Sequence, residues 1–192
     1  MYIKNLKKEI FTIPNVLSLI RLALIPVYVI IYLKDYYYVS ASILAVSCLT
    51  DLLDGQIARH FNMISTVGKI LDPFADKATQ FTLIVCLAIK RNLPLLWAII
   101  VLFVLKEGFQ LIAGSLLLKK KKILSGALFA GKISTAVLFI SLVLMIMVPS
   151  LSDTVINIIV LIDGAFLIVA FIAYILVYAG KIHIIQDLDA KP

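Results

Sequence analysis

Residues 51–76 read DLLDGQIARHFNMISTVGKILDPFAD, which places four aspartates, Asp51, Asp54, Asp72 and Asp76, inside a chain that is otherwise almost unbroken apolar helix. An ionised carboxylate near the middle of a bilayer is costly unless a cation or another polar partner meets it. Clustered carboxylates therefore point to a metal site. The chain has 192 residues, of which 62% are hydrophobic and only 15% charged, and its mean hydropathy is +1.09. A soluble globular domain of ordinary composition is excluded.

Six apolar segments, at about 15–33, 38–60, 67–90, 93–118, 127–149 and 154–180, are each long enough to cross about 30 Å of hydrocarbon. The expected fold is an all-α integral membrane protein of six transmembrane helices, preceded by an interfacial amphipathic segment around Ile10 to Pro14. The short connections predict a single domain over 1–192. The start Met1-Tyr2-Ile3-Lys4 lacks the features of a leader, so no cleaved segment is expected. Cys48 and Cys86 lie in apolar runs without metal-type spacing and read as small buried hydrophobes.

Basic residues set the orientation. Lys4, Lys7 and Lys8 precede the first span, Arg59 and Lys69 flank the 2–3 turn, Lys119 to Lys122 fill the 4–5 turn, and Lys181 and Lys191 follow the sixth span. The opposite turns offer Lys34, Lys90 and Arg91, so both termini are expected in the cytosol. Spans 2 and 3 then bring all four aspartates to similar depth near the inner face. Asp51 and Asp54 are an i, i+3 pair and Asp72 and Asp76 an i, i+4 pair, so each pair shares a helix face.

Oxygen donors without cysteine or histidine favour magnesium, calcium or manganese over zinc. Gly55 removes a side chain beside Asp54, and Ala58 keeps that face shallow. Arg59 supplies a planar fork for phosphate, and Gly68 opens space beside Lys69. Together these residues describe a site for a diphosphate. The competing reading, ion pairs between the aspartates and Arg59, Lys69 and Lys77, leaves the spacing unexplained.

Asp51-x-x-Asp54-Gly55-x-x-Ala58-Arg59, eight residues, Gly68-x-x-x-Asp72-x-x-x-Asp76 resembles the signature of the CDP-alcohol phosphatidyltransferase family, with every fixed position filled. The resemblance implies transfer of a phosphatidyl group from CDP-diacylglycerol to an alcohol, with release of CMP, by a membrane-embedded homodimer using two divalent cations, Mg2+ or Mn2+. It makes Asp51, Asp54, Asp72 and Asp76 metal ligands and Asp76 also the candidate general base. Asp51, Gly55, Ala58, Arg59 and Gly68 would border the CDP moiety. A bacterial plasma-membrane protein with its active site on the cytosolic side is expected, with membrane lipids as partners and no nucleic acid.

Gly131-Lys132 resembles the glycine-lysine position that holds the acceptor phosphate in members using phosphorylated alcohols, so Lys132 is the expected acceptor contact. Lys106, beside Glu107, is a second. In the glycerol-phosphate branch an Arg-Glu pair is usual there, with another arginine two turns later, where this chain has Gly114. The expected acceptor is glycerol-3-phosphate, the alternative a CMP-forming cardiolipin synthase acting on phosphatidylglycerol, and the remote alternative a cation transporter. Tyr178 is a further candidate acceptor contact, and Asp163 in span 6 a candidate polar contact between helices or subunits. Asn15 and Arg21 resemble the family's asparagine and arginine of the first helix, near the nucleotide. His60 and His183 read as passive interfacial and solvated residues.

Overall fold

A computed structural model describes residues 12–60, 68–119, 122–124, 129–179 and 185–187; side-chain placement is not described for 13–14, 51–60, 69–70, 117–119, 122–124 and 185–187. Six helices run in order: α1 (Ile13–Leu33), α2 (Tyr37–His60), α3 (Gly68–Arg91), α4 (Pro94–Lys119), α5 (Phe129–Met147) and α6 (Asp153–Tyr178). They coincide with the six apolar segments to within two residues at every end. Four of them, α1, α4, α5 and α6, are long and apolar enough to cross a membrane, whereas in α2 the apolar part is the shorter stretch Tyr37–Thr50. The acidic residues of the motif explain why α2 and α3 fall short of that measure. The expected interfacial segment lies outside the described residues except for its last positions; Pro14 belongs to the first turn of α1.

One element departs from the all-helical expectation. Strand β1 (Lys122–Leu124) pairs antiparallel with β2 (Ile185–Asp187), Lys122 opposite Asp187 and Leu124 opposite Ile185. This small ribbon ties the link after α4 to the chain beyond α6.

The chain divides into two compact units, residues 1–90 and 91–192. In the first, α1 opens after Thr12 in extended conformation with proline in its first turn, where the missing amide donor costs nothing. It ends at Lys34, and Asp35 reverses the chain at φ 66°, a left-handed conformation that aspartate tolerates better than most residues. The Lys90 ammonium pairs with the Asp35 carboxylate and lies 5.8 Å from the centre of the Tyr37 ring. The Tyr37 hydroxyl donates to the same carboxylate at 2.5 Å. Tyr28 stacks on Tyr32 at 5.6 Å, and Leu44, Leu83, Ile84 and Leu87 fill the core.

In the second unit α6 packs on both α4 and α5. Ser152 caps α6 by accepting from the Val155 amide, and Asp153 follows in the first turn, where a negative charge suits the helix dipole. Arg91 holds that corner by donating to the Pro149 carbonyl at 2.5 Å and facing Asp153 at 3.5 Å. Leu138, Leu142, Ile156, Leu167 and Val177 form the core.

The burial pattern is the reverse of a soluble protein's. Ile30, Leu49, Val101, Leu111, Ile140 and Val169 are exposed, while Arg21, Lys106 and Asp163 are buried. Apolar side chains facing outward around buried polar ones is what a hydrocarbon solvent selects.

Candidate functional site

Asp72 and Asp76 stand on one face of α3, one turn apart, and α1 supplies the groups that meet them. The Ser18 hydroxyl donates to Asp72 Oδ1 at 2.6 Å. The Arg21 guanidinium forms an ion pair with Asp76. Ser18 and Arg21 follow one another along α1 as Asp72 and Asp76 do along α3, so these two helices run in the same direction. Asn15, Ser18 and Arg21 recur every three residues and are 1%, 0% and 2% exposed. Two members of this polar stripe, Ser18 and Arg21, meet carboxylates of α3.

Asp76 keeps 44% of its side chain exposed beside an almost wholly buried Arg21. A carboxylate held by a buried guanidinium and still partly exposed can receive a cation or a proton. Pro73, between the two aspartates, removes one amide donor from the α3 ladder. Gly68 opens α3 and is buried. Of Asp51, Asp54, Gly55, Ala58, Arg59 and His60 only the helical backbone in the last part of α2 is described, and Lys69 likewise contributes backbone alone. Among the described residues no group of three or more Asp, Glu, His or Cys side chains converges; the expected set of four includes two side chains outside that description.

The expected acceptor residues lie in the second unit. Lys106 is 1% exposed and donates to Glu107 at 2.8 Å. Lys132 is exposed on the first turn of α5, next to buried Gly131. The Gly131 carbonyl accepts from the hydroxyls of both Ser134 and Thr135, at 3.0 and 2.8 Å. Over Gly131 lies the ring of Tyr174, with Cε2 and Cζ 2.9 and 3.0 Å from where a β-carbon would stand. Tyr178 places its hydroxyl 3.8 Å from the corresponding point on Gly114. Asp163 accepts from Ser141 of α5 at 2.9 Å, so its role within this unit is a contact between helices. His183 and positions 120–121 of the lysine run lie outside the described residues, and neither Cys48 nor Cys86 forms a disulfide.

Ser18 was not singled out in the sequence, and Arg21 was placed only near the nucleotide. The available signal was the three-residue recurrence of polar side chains in α1, but its partners lie more than fifty positions away.

The model of the CDP-alcohol phosphatidyltransferase family matches residues 11–176. Among curated proteins, a cardiolipin synthase (CMP-forming) / mitochondrial hydrolase fusion protein of Schizosaccharomyces pombe is 39% identical over 99 residues, 52% of this chain and 17% of that protein. The cardiolipin synthase (CMP-forming) of Streptomyces coelicolor is 35% identical over 114 residues, covering 56% and 53% of the two chains. The CDP-diacylglycerol--glycerol-3-phosphate 3-phosphatidyltransferase of Aquifex aeolicus is 35% identical over 136 residues, covering 69% and 73%. The matched region is thus about half or less of the first two relatives and nearly three quarters of the third.

Proposed function

Because the chain belongs to the CDP-alcohol phosphatidyltransferase family, we propose that it transfers a phosphatidyl group from CDP-diacylglycerol to a glycerol-phosphate alcohol and releases CMP. The observation that carries this reading is the family match across residues 11–176, which contains the whole aspartate motif and the α1 residues that meet it.

The donor set fits hard divalent cations: carboxylate oxygens, a partly exposed Asp76 side chain and no thiolate or imidazole among the motif residues. Asp51, Asp54, Asp72 and Asp76 would hold Mg2+ or Mn2+, which when bound supply positive charge to the diphosphate and its leaving phosphate. The chain's own residues do the rest. An Asp76 carboxylate oxygen takes the proton from the attacking hydroxyl, while Arg21 holds that carboxylate in place and Ser18 holds Asp72. The Arg59 fork binds phosphate, and Gly55, Ala58 and Gly68 leave room for the CDP moiety.

Lys132 and Lys106 are the proposed contacts of the acceptor phosphate, and glycerol-3-phosphate is the acceptor proposed first. A second reading, phosphatidylglycerol as acceptor, is favoured by Gly114: beside it stands the Tyr178 hydroxyl, in place of the arginine usual in the glycerol-phosphate branch. In either case residues 1–192 serve one catalytic domain that crosses a bacterial plasma membrane six times, termini and site facing the cytosol, and works as a homodimer.

Incubation of the purified chain with CDP-diacylglycerol and each acceptor, with CMP release as readout, tests the function. Activity is expected to vanish in excess chelator and return with Mg2+ or Mn2+. Full activity in chelator defeats the metal assignment, and CMP release with neither acceptor defeats the acceptor class.

A further inference from the structure

Glu107, Gln110 and Gly114 follow one face of α4 at i, i+3 and i+7, and α6 brings Tyr174 and Tyr178, one turn apart, to the same unit. The Tyr174 hydroxyl meets the Gln110 side chain. Its ring occupies the space over Gly131 that any larger residue would fill, one position before Lys132. Phe109 meets Phe171 and Tyr178 edge-on at 5.4 and 5.6 Å, closing the flank with apolar surface. Within this cluster Gln110 Oε1 is buried and has no hydrogen-bond partner among the described residues. A buried amide oxygen left without a donor is a standing cost that a ligand can remove.

The chemistry of the missing partner follows from what surrounds it. An anion would meet the Gln110 oxygen and the Glu107 carboxylate. A cation would have to compete with Lys106, which already donates to Glu107. A hydroxyl does neither: it donates to Gln110 Oε1 and accepts from the Tyr174 phenol. We propose that Gln110 and Tyr174 form a subsite for the non-reacting secondary hydroxyl of the acceptor's glycerol unit. Glycerol-3-phosphate and the phosphatidylglycerol headgroup share that group, and Lys132 stands next in sequence for the attached phosphate. This inference rests on the acceptor class proposed above.

The test uses acceptors that lack only this hydroxyl. The full chain is assayed for CMP release with glycerol-3-phosphate against 3-hydroxypropyl phosphate, and with phosphatidylglycerol against phosphatidyl-1,3-propanediol; the active pair identifies the source of the glycerol unit. The wild-type chain is expected to favour the glycerol compound by roughly 10-fold in kcat/KM. Tyr174→Phe, which keeps the ring over Gly131, and Gln110→Leu should each shrink that preference to about 2-fold. If the wild type handles the deoxy acceptor equally well, or if both variants lose activity toward both acceptors in proportion, the subsite is overturned while the proposed function stands. If neither glycerol compound supports CMP release, the acceptor class fails and the subsite falls with it.

Discussion

Asp76 meets the Arg21 guanidinium and keeps 44% of its side chain exposed, an arrangement that suits the proposed role of a carboxylate that stays oriented while it exchanges a proton. Asp76→Asn preserves size and the contact with Arg21 but removes the proposed base, so turnover should fall at least about 100-fold while CDP-diacylglycerol still binds. Single-turnover CMP release together with a lipid-binding assay separates the two effects; near-normal turnover would place the base elsewhere. The aspartates were legible in the sequence because carboxylates are rare in apolar helix and their spacing is fixed by the helical period. Ser18 was not, because a serine in a membrane helix is ordinary until the side chain opposite it is known, and that is a tertiary fact.

At the level of helices and turns, two small residues on neighbouring elements should behave differently. Alanine at Gly131 would drive a β-carbon into the Tyr174 ring, a buried clash that should cost about 1–3 kcal/mol. At Gly114 the added carbon would meet the Tyr178 hydroxyl at 3.8 Å, an ordinary contact. There the helix should instead gain about 0.5–1 kcal/mol from the lost glycine. Thermal denaturation in detergent should therefore rank Gly114→Ala above Gly131→Ala, and the opposite order would refute the packing. The α1–α2 turn offers a second prediction. The Lys90 hydrogen bond, followed by that of Tyr37, holds the Asp35 carboxyl below its ordinary value of 3.8. Because its affinity for protons is lower in the folded chain, the contact stabilises above the ordinary carboxylate range and is lost as pH falls through the depressed value. A carboxyl-carbon NMR titration of Asp35 should show that depressed midpoint, and Lys90→Ala should move it upward; an ordinary midpoint in the wild type would remove the contact from solution. Helix positions were readable because the apolar runs end at charged or turn residues. The ribbon was not, since Lys122 and Asp187 carry no local sign of each other.

For the whole molecule, the distribution of cations underlies the proposed orientation, and two of the three outer-turn cations that oppose the rule, Lys34, Lys90 and Arg91, have a counter-charge: Lys90 has Asp35 in the first unit and Arg91 has Asp153 in the second. Neutralised in place, they weigh less against the lysines of the other face. Tyr36→Cys should accordingly react with an impermeant thiol reagent in intact cells, and Lys119→Cys only after permeabilisation. The reverse labelling would invert the proposed topology.

The Arg21–Asp76 ion pair spans 55 positions, and on a ribosome that separation is a delay. At 5–20 residues per second the first helix waits about 3–11 s for its counter-charge to be made. An arginine near the centre of an inserted helix costs about 2.5–3.5 kcal/mol while it stands alone. During that interval α1 carries the cost without the carboxylate that meets Arg21 in the finished protein, and a stall in synthesis between residues 34 and 76 would prolong it.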